Sequence, residues 1–177
     1  MELNEPTQLN RPRTNEITLS LLRRAKRAGF SVLVLTLDTF SIGWRPHDLA
    51  SAYLPFIHGF GNQVGTSDPV FMRRFQLPAL LPGEATPAFP YDPQACDALI
   101  AAGDAHAQKQ AMLGKAWLGE VTGSSFRSWE DLKFLRDNWE GPLVLKGVQR
   151  VAVRISFLIL YLYPFCLFSQ LPNVWQY

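Results

Sequence analysis

Residues 30–37, FSVLVLTL, form an almost unbroken apolar run rich in Val and Leu. A run this short and this apolar reads as a strand buried on both faces, the kind found in a parallel sheet with helices outside it. It ends abruptly at Asp38, and Arg45 follows seven residues later. A carboxylate and a guanidinium just past a buried strand are either the exit of an ordinary strand or one edge of an active site. In parallel α/β folds chemistry gathers at the C-terminal strand ends, which gives the second reading weight.

The surrounding pattern is that of an α/β chain. Residues 15–28 read as a helix, with Ile17, Leu21, Ala25 and Ala28 at helical spacing and Leu22 beside them. Thr14 or Asn15 can cap its start, and Gly29 suits a left-handed stop. Ser128, with Asp131 three positions later, has the form of a capping box. Trp129, Leu132, Leu135 and Trp139 continue as an apolar stripe until Gly141-Pro142. LVLK, residues 143–146, reads as a second short strand, again ending in a charge at Lys146. A further helix is expected from Asp92-Pro93 to about Trp117, with Pro at its first position. Helix–strand followed by helix–helix–strand predicts an α/β fold. The intervening residues 41–91 are rich in Gly, Pro and aromatics, and are expected to be a partly ordered excursion at the mouth of the fold.

Composition excludes several classes. The chain has 177 residues, 47% apolar and 18% charged, enough for one globular domain with a sizeable core. Its net charge of +2 is too small to indicate nucleic acid or an anionic membrane as partner. The basic cluster Arg23–Arg27 reads as a solvated helix face. Cys96 and Cys166 have no metal or disulfide spacing, which predicts a reduced, cytoplasmic setting. The polar N-terminus, with two prolines, is neither a signal peptide nor a transit helix. His47, His58 and His106 share no ligand spacing and read as surface or hydrogen-bonded histidines, and no metal site is expected. GFGNQVG lacks both the preceding strand and the following Lys of a phosphate loop. The residues from Val151 onward change character: 155–168 is a nearly continuous apolar run interrupted by Ser156 and Pro164, shorter than the roughly 20 residues needed to span a bilayer.

From spacing alone, Asp38 can cap a turn and Lys146 can snorkel to water. Equally, an aspartate can orient a histidine base and a lysine can stabilise developing negative charge.

Longer words go further. RAKRAGFSVLVLTLDTFSIGWRPHDL, then SDPVF, then SWEDLKFLRDNWEGPLVLKGVQ resemble the FMN-dependent α-hydroxy acid dehydrogenase and oxidase family, especially its lactate 2-monooxygenase-like branch. The likeness covers residues 8–149. It implies a (β/α)8 barrel with FMN at its C-terminal face, of which this chain would supply two middle strands and the long loop between them. It implies that Thr36 faces the flavin ring and that Gln8 contacts it. It further implies that Lys146 lies beside the ring's anionic edge, that Asp38 partners a catalytic histidine, and that Arg45 is a mobile arginine meeting the carboxylate of a small 2-hydroxy acid. Oxidation to the keto acid is the implied reaction, and homo-oligomers are implied for the full-length family.

The chain departs from the family at named places. Asn10, followed by Arg11, stands where the family carries a substrate-binding tyrosine. The motif S-N-H-G-G-R-Q, which carries the catalytic histidine, does not occur. Residues 1–149 therefore read as a fragment of the dehydrogenase domain, and 150–177 as an apolar tail foreign to it, such as a translated intron. A fragment of this kind is expected to be inactive alone. A non-catalytic remnant and a membrane-associated protein held by residues 155–168 are the alternatives.

Overall fold

The computed structural model describes residues 5–38, 43–81, 90–122 and 128–152. The chain divides into two compact units, Met1–Lys146 and Gly147–Tyr177. Only residues 147–152 of the second are described, with Gly147 at φ 91° and a helical turn at Val151–Ala152. The apolar run 155–168 and Cys166 lie outside the described residues. Among the described residues no helix is long and apolar enough to cross a membrane.

The first unit is built on three parallel strands, β1 (Pro6–Leu9), β2 (Val32–Thr36) and β3 (Leu143–Lys146), paired in chain order. Parallel neighbours need long crossovers. Helix α1 (Asn15–Arg27) makes the first. The second contains α2 (Pro46–Ala50), a 3-10 turn (Pro55–His58), α3 (Gln63–Thr66), α4 (Pro69–Arg73), α5 (Pro93–Ala101), α6 (Ala105–Val121) and α7 (Trp129–Asp137). The chain is thus α/β, as its sequence predicts, but with three strands among the described residues where the apolar runs indicate two. β1 escapes notice because PTQL carries one buried residue, Leu9, and begins with a proline, a residue tolerated at a strand start.

Register decides which side chains share a face. Val34 lies opposite Gln8 and Val144, and Thr36 opposite Lys146. Because successive strand residues alternate, Gln8, Val32, Val34, Thr36, Val144 and Lys146 fall on one face. Leu9, Leu33, Leu35 and Leu143 fall on the other and are buried. The core is completed by Ile17, Leu21 and Leu22 of α1, Phe71 and Met72 of α4, Leu113 and Trp117 of α6, and Leu132 and Leu135 of α7. The expectation of a β2 buried on both faces is corrected here: Val32 and Val34 are half-buried, and neighbouring Val144 is 45% exposed.

Local signals act as the residue types require. Ser128 accepts from the Asp131 N–H, and the Asp131 carboxylate accepts from the Ser128 N–H, completing the capping box of α7. Gly29, at φ 88°, ends α1. The Thr14 side chain does not cap α1; it donates to Glu120, whose carboxylate also accepts from the Thr14 N–H. A carboxylate at that end opposes the positive pole of the helix dipole. The single helix expected over 92–117 is two helices. Gly103 turns left-handed at φ 83°, and Asp104 caps α6 by accepting from the Ala107 N–H at 2.8 Å.

The described part of the excursion after β2 is built into the first unit by specific contacts. Asp68, in SDPVF, is fully buried. Its Oδ1 accepts from the N–H groups of Val70 and Phe71 at 2.9 and 3.0 Å, capping α4, while Oδ2 accepts from Ser20 at 2.7 Å and Arg24 at 3.1 Å. The basic cluster on α1 is therefore not wholly a solvated face: Arg24 reaches the buried carboxylate. Lys26 pairs with Glu140 at 2.6 Å, and that hydrogen bond holds the Glu140 carboxyl below its ordinary range. Farther along, the chain runs close over α6. A Cβ on Gly114 would stand 2.5 Å from the Phe56 carbonyl oxygen, so a bare α-carbon is needed there.

Candidate functional site

The C-terminal ends of the three strands bring Gln8, Thr36, Asp38 and Lys146 together. Gln8 and Thr36 lie on one face of neighbouring strands, two positions apart in register, and Gln8 Nε2 donates to Thr36 Oγ1 at 2.9 Å. Thr36 is 9% exposed. Lys146 lies directly opposite Thr36, and the ladder runs one residue further, with the Leu37 N–H donating to the Lys146 carbonyl at 3.0 Å. Asp38 follows the end of β2, and its Oδ1 stands 3.7 Å from Lys146 Nζ. Both side chains are about half exposed, at 41% and 49%. An ion pair this open contributes at most about 1 kcal/mol to stability. Its ammonium therefore remains available to another anion or dipole on the same face.

Arg45 is not part of this cluster. It is the N-cap residue of α2, 68% exposed, and its ion pair is with Asp48 at 3.5 Å. Residues 39–42, which link it to Asp38, lie outside the described residues. Arg11 also turns away from the strand ends. Its side chain is 6% exposed, pairs with Asp131 at 2.5 Å, donates to Asn15 at 2.9 Å and lies over the Phe134 ring. It ties the exit of β1 to the start of α7.

A second polar cluster has no signature in the sequence. His58 is buried, with Nδ1 2.7 Å from the Tyr91 hydroxyl and Nε2 3.0 Å from Asp97 Oδ1. Tyr91 also meets the rings of Tyr53 and Phe60. Burial, and then the charges of Cys96 and Asp97, push the Tyr91 hydroxyl above its ordinary value. The Cys96 thiol is likewise pushed up, first by burial and then by Asp92 and Asp97, which keeps it protonated. Separations of 33 and 39 residues hide this cluster from any local motif.

Comparison with known proteins identifies the family. The family model for FMN-dependent dehydrogenases matches residues 4–153. An FMN-dependent alpha-hydroxy acid dehydrogenase of Penicillium citrinum is 42% identical over 134 residues, covering 76% of this chain and 27% of the relative. A protein of the same description from Schizosaccharomyces pombe is 38% identical over 138 residues, covering 77% of this chain and 28% of its own length. An L-lactate oxidase of Lysinibacillus sphaericus is 42% identical over 57 residues, 32% of this chain and 15% of the oxidase. The chain thus spans less than a third of the length of these relatives. With a parallel α/β sheet, a polar cluster at its strand ends and a match across most of its residues, the chain belongs to the FMN-dependent dehydrogenase family.

Proposed function

We propose that this chain supplies three consecutive strands of a (β/α)8 barrel whose C-terminal face binds FMN and oxidises a small 2-hydroxy acid, and that residues 150–177 lie outside this barrel segment. The observation that carries the reading is the shared face of Gln8, Thr36 and Lys146. It presents an amide, a hydroxyl and an ammonium at the carboxyl ends of adjacent parallel strands, where ligands of such folds bind. The donor set fits a flavin. The polar edge of the ring offers carbonyl oxygens and nitrogens to these groups, and Val34 and Val144 supply apolar surface on the same side. FMN, when bound, would supply the two-electron acceptor for oxidation at the substrate's α-carbon. Lys146 then supplies fixed positive charge to the polar edge of the ring. Gln8 fixes the Thr36 hydroxyl by donating to its oxygen, so Thr36 keeps its own proton to donate. Arg45 meets the substrate carboxylate, a task suited to a guanidinium's paired donors.

The base is the missing part. Asp38 faces Lys146 here, and both ring nitrogens of His58 are engaged by Tyr91 and Asp97. The strand-end cluster itself holds no histidine, so on this reading the base comes from outside it, and the chain by itself is expected to be inactive. Loss of a general base alone costs about 10²–10⁴-fold in rate.

Equilibrium dialysis of the purified chain against FMN tests this reading. Weak, saturable retention is expected, and Lys146→Met is expected to lower it about tenfold through loss of one charge-assisted contact. Equal retention by both proteins, or none at millimolar protein, contradicts it.

A further inference from the structure

His58 ends the 3-10 turn, takes no part in the strand-end cluster, and is only 7% exposed. Its two partners come from the segment that leads into α5: Tyr91 just before the helix and Asp97 within it. An ionised carboxylate only accepts, so Nε2 carries a proton. The neutral ring then accepts the Tyr91 O–H at Nδ1, and a protonated ring donates from both nitrogens. The other titratable groups of the cluster are Tyr53 and Cys96; Tyr91 keeps its proton because burial disfavours the phenolate.

What this arrangement holds is clear from what lies around it. α5 has nine residues and none is buried; Leu99 is 51% exposed. A helix so short is marginal without tertiary contacts. Residues 55–66, by contrast, have their own seat on α6. Gly59 lies against the Gln110 carbonyl, Gly65 against the Trp117 ring, and the Phe56 carbonyl against Gly114. On the other side, residues 43–53 include no buried residue, and the α2 backbone bonds close on themselves. Ala52 there has φ 51°, a left-handed conformation that a side chain disfavours. Tyr53 meets the Tyr91 ring edge-on at 5.5 Å.

We infer that Tyr91, His58 and Asp97 form a clasp that fastens α5 to the block 55–66 and, through Tyr53, sets the foot of the arm that carries Arg45. The clasp stands on contacts that owe nothing to the flavin reading. Amide hydrogen exchange on the whole chain, without cofactor, tests it. In the unmodified chain the α5 amides are protected. His58→Phe raises their exchange by about tenfold, as loss of two part-buried hydrogen bonds requires, and leaves α6 and β2 unchanged. Asp97→Ala, at an exposed carboxylate, moves α5 the same way by a smaller factor. Unprotected α5 amides in the unmodified chain, or unchanged α5 exchange in both variants, overturns the clasp. If His58→Phe unfolds the chain, which loss of β2 protection reveals, Asp97→Ala decides: a rise confined to α5 supports the clasp, and either no rise or one that spreads to β2 overturns it.

Discussion

Asp68→Ala is expected to lower the unfolding free energy by about 3 kcal/mol, the lower end of what removing one partner of a buried ion pair costs. The Asp68 side chain is completely buried and its two oxygens accept four hydrogen bonds. Alanine leaves the N–H groups of Val70 and Phe71 without a cap and the buried Ser20 hydroxyl without its acceptor. The remaining Arg24 is cushioned, because it is 28% exposed and also donates to Ser67 and the Val64 carbonyl. That places the effect at about 3 rather than 5 kcal/mol. Asp68→Asn keeps the capping oxygen and should lose about half as much, since a cap alone is worth about 1 kcal/mol. Denaturant midpoints at unchanged slope measure both. A loss below about 1 kcal/mol for the alanine variant would show that the SDPVF segment is not held by its aspartate.

Gly141→Ala is the second large effect, and it bears on the seating of β3 against β2. A Cβ at position 141 would stand 2.0 Å from the Ser31 carbonyl oxygen and 2.9 Å from Trp139 Nε1. The obstacle is backbone at the entrance to β2, so it cannot swing aside. Relief requires the start of β3 to move away from β2. That strains the Leu33 N–H bond to the Pro142 carbonyl at 2.9 Å and the pairing of Leu33 with Leu143. Overpacking of this kind costs about 3 kcal/mol. Gly119→Ala, in α6 with nothing within 4 Å, is the matched control. There alanine should be neutral or stabilising by up to about 1 kcal/mol, from helix propensity alone. Thermal or denaturant unfolding of the pair measures the contrast, and equal midpoints would contradict the seating of β3 against β2.

What was legible in the sequence was what is encoded locally. β2, β3 and the capping box of α7 each carry their signal within a few residues, and each is found where expected. β1 carries no such signal: its strand character comes from pairing with β2. The break between α5 and α6 was present as Gly103-Asp104, yet an isolated glycine inside an apolar periodicity looks tolerable until its left-handed turn is seen. The SDPVF word was visible, but its physical reason lies with Ser20 and Arg24, more than 40 residues earlier. For the candidate site, charges at two strand ends were readable, while their convergence depends on the register that sets Thr36 against Lys146. The partners of Arg45 and of His58 follow from side-chain placement in an excursion whose composition says only that it is not a free linker.

The proposed flavin site is a ring-binding edge formed by Gln8, Thr36 and Lys146 on a single sheet face. Titrating FMN into the isotope-labelled chain, followed residue by residue by NMR, tests it most directly. The Gln8 side-chain amide and the backbone amides of Thr36 and Lys146 are expected to shift together along one saturating curve, with Leu9, Leu33 and Leu35 on the opposite face left in place. Shifts confined to other residues, or a leucine face that moves as much as the polar one, would contradict it.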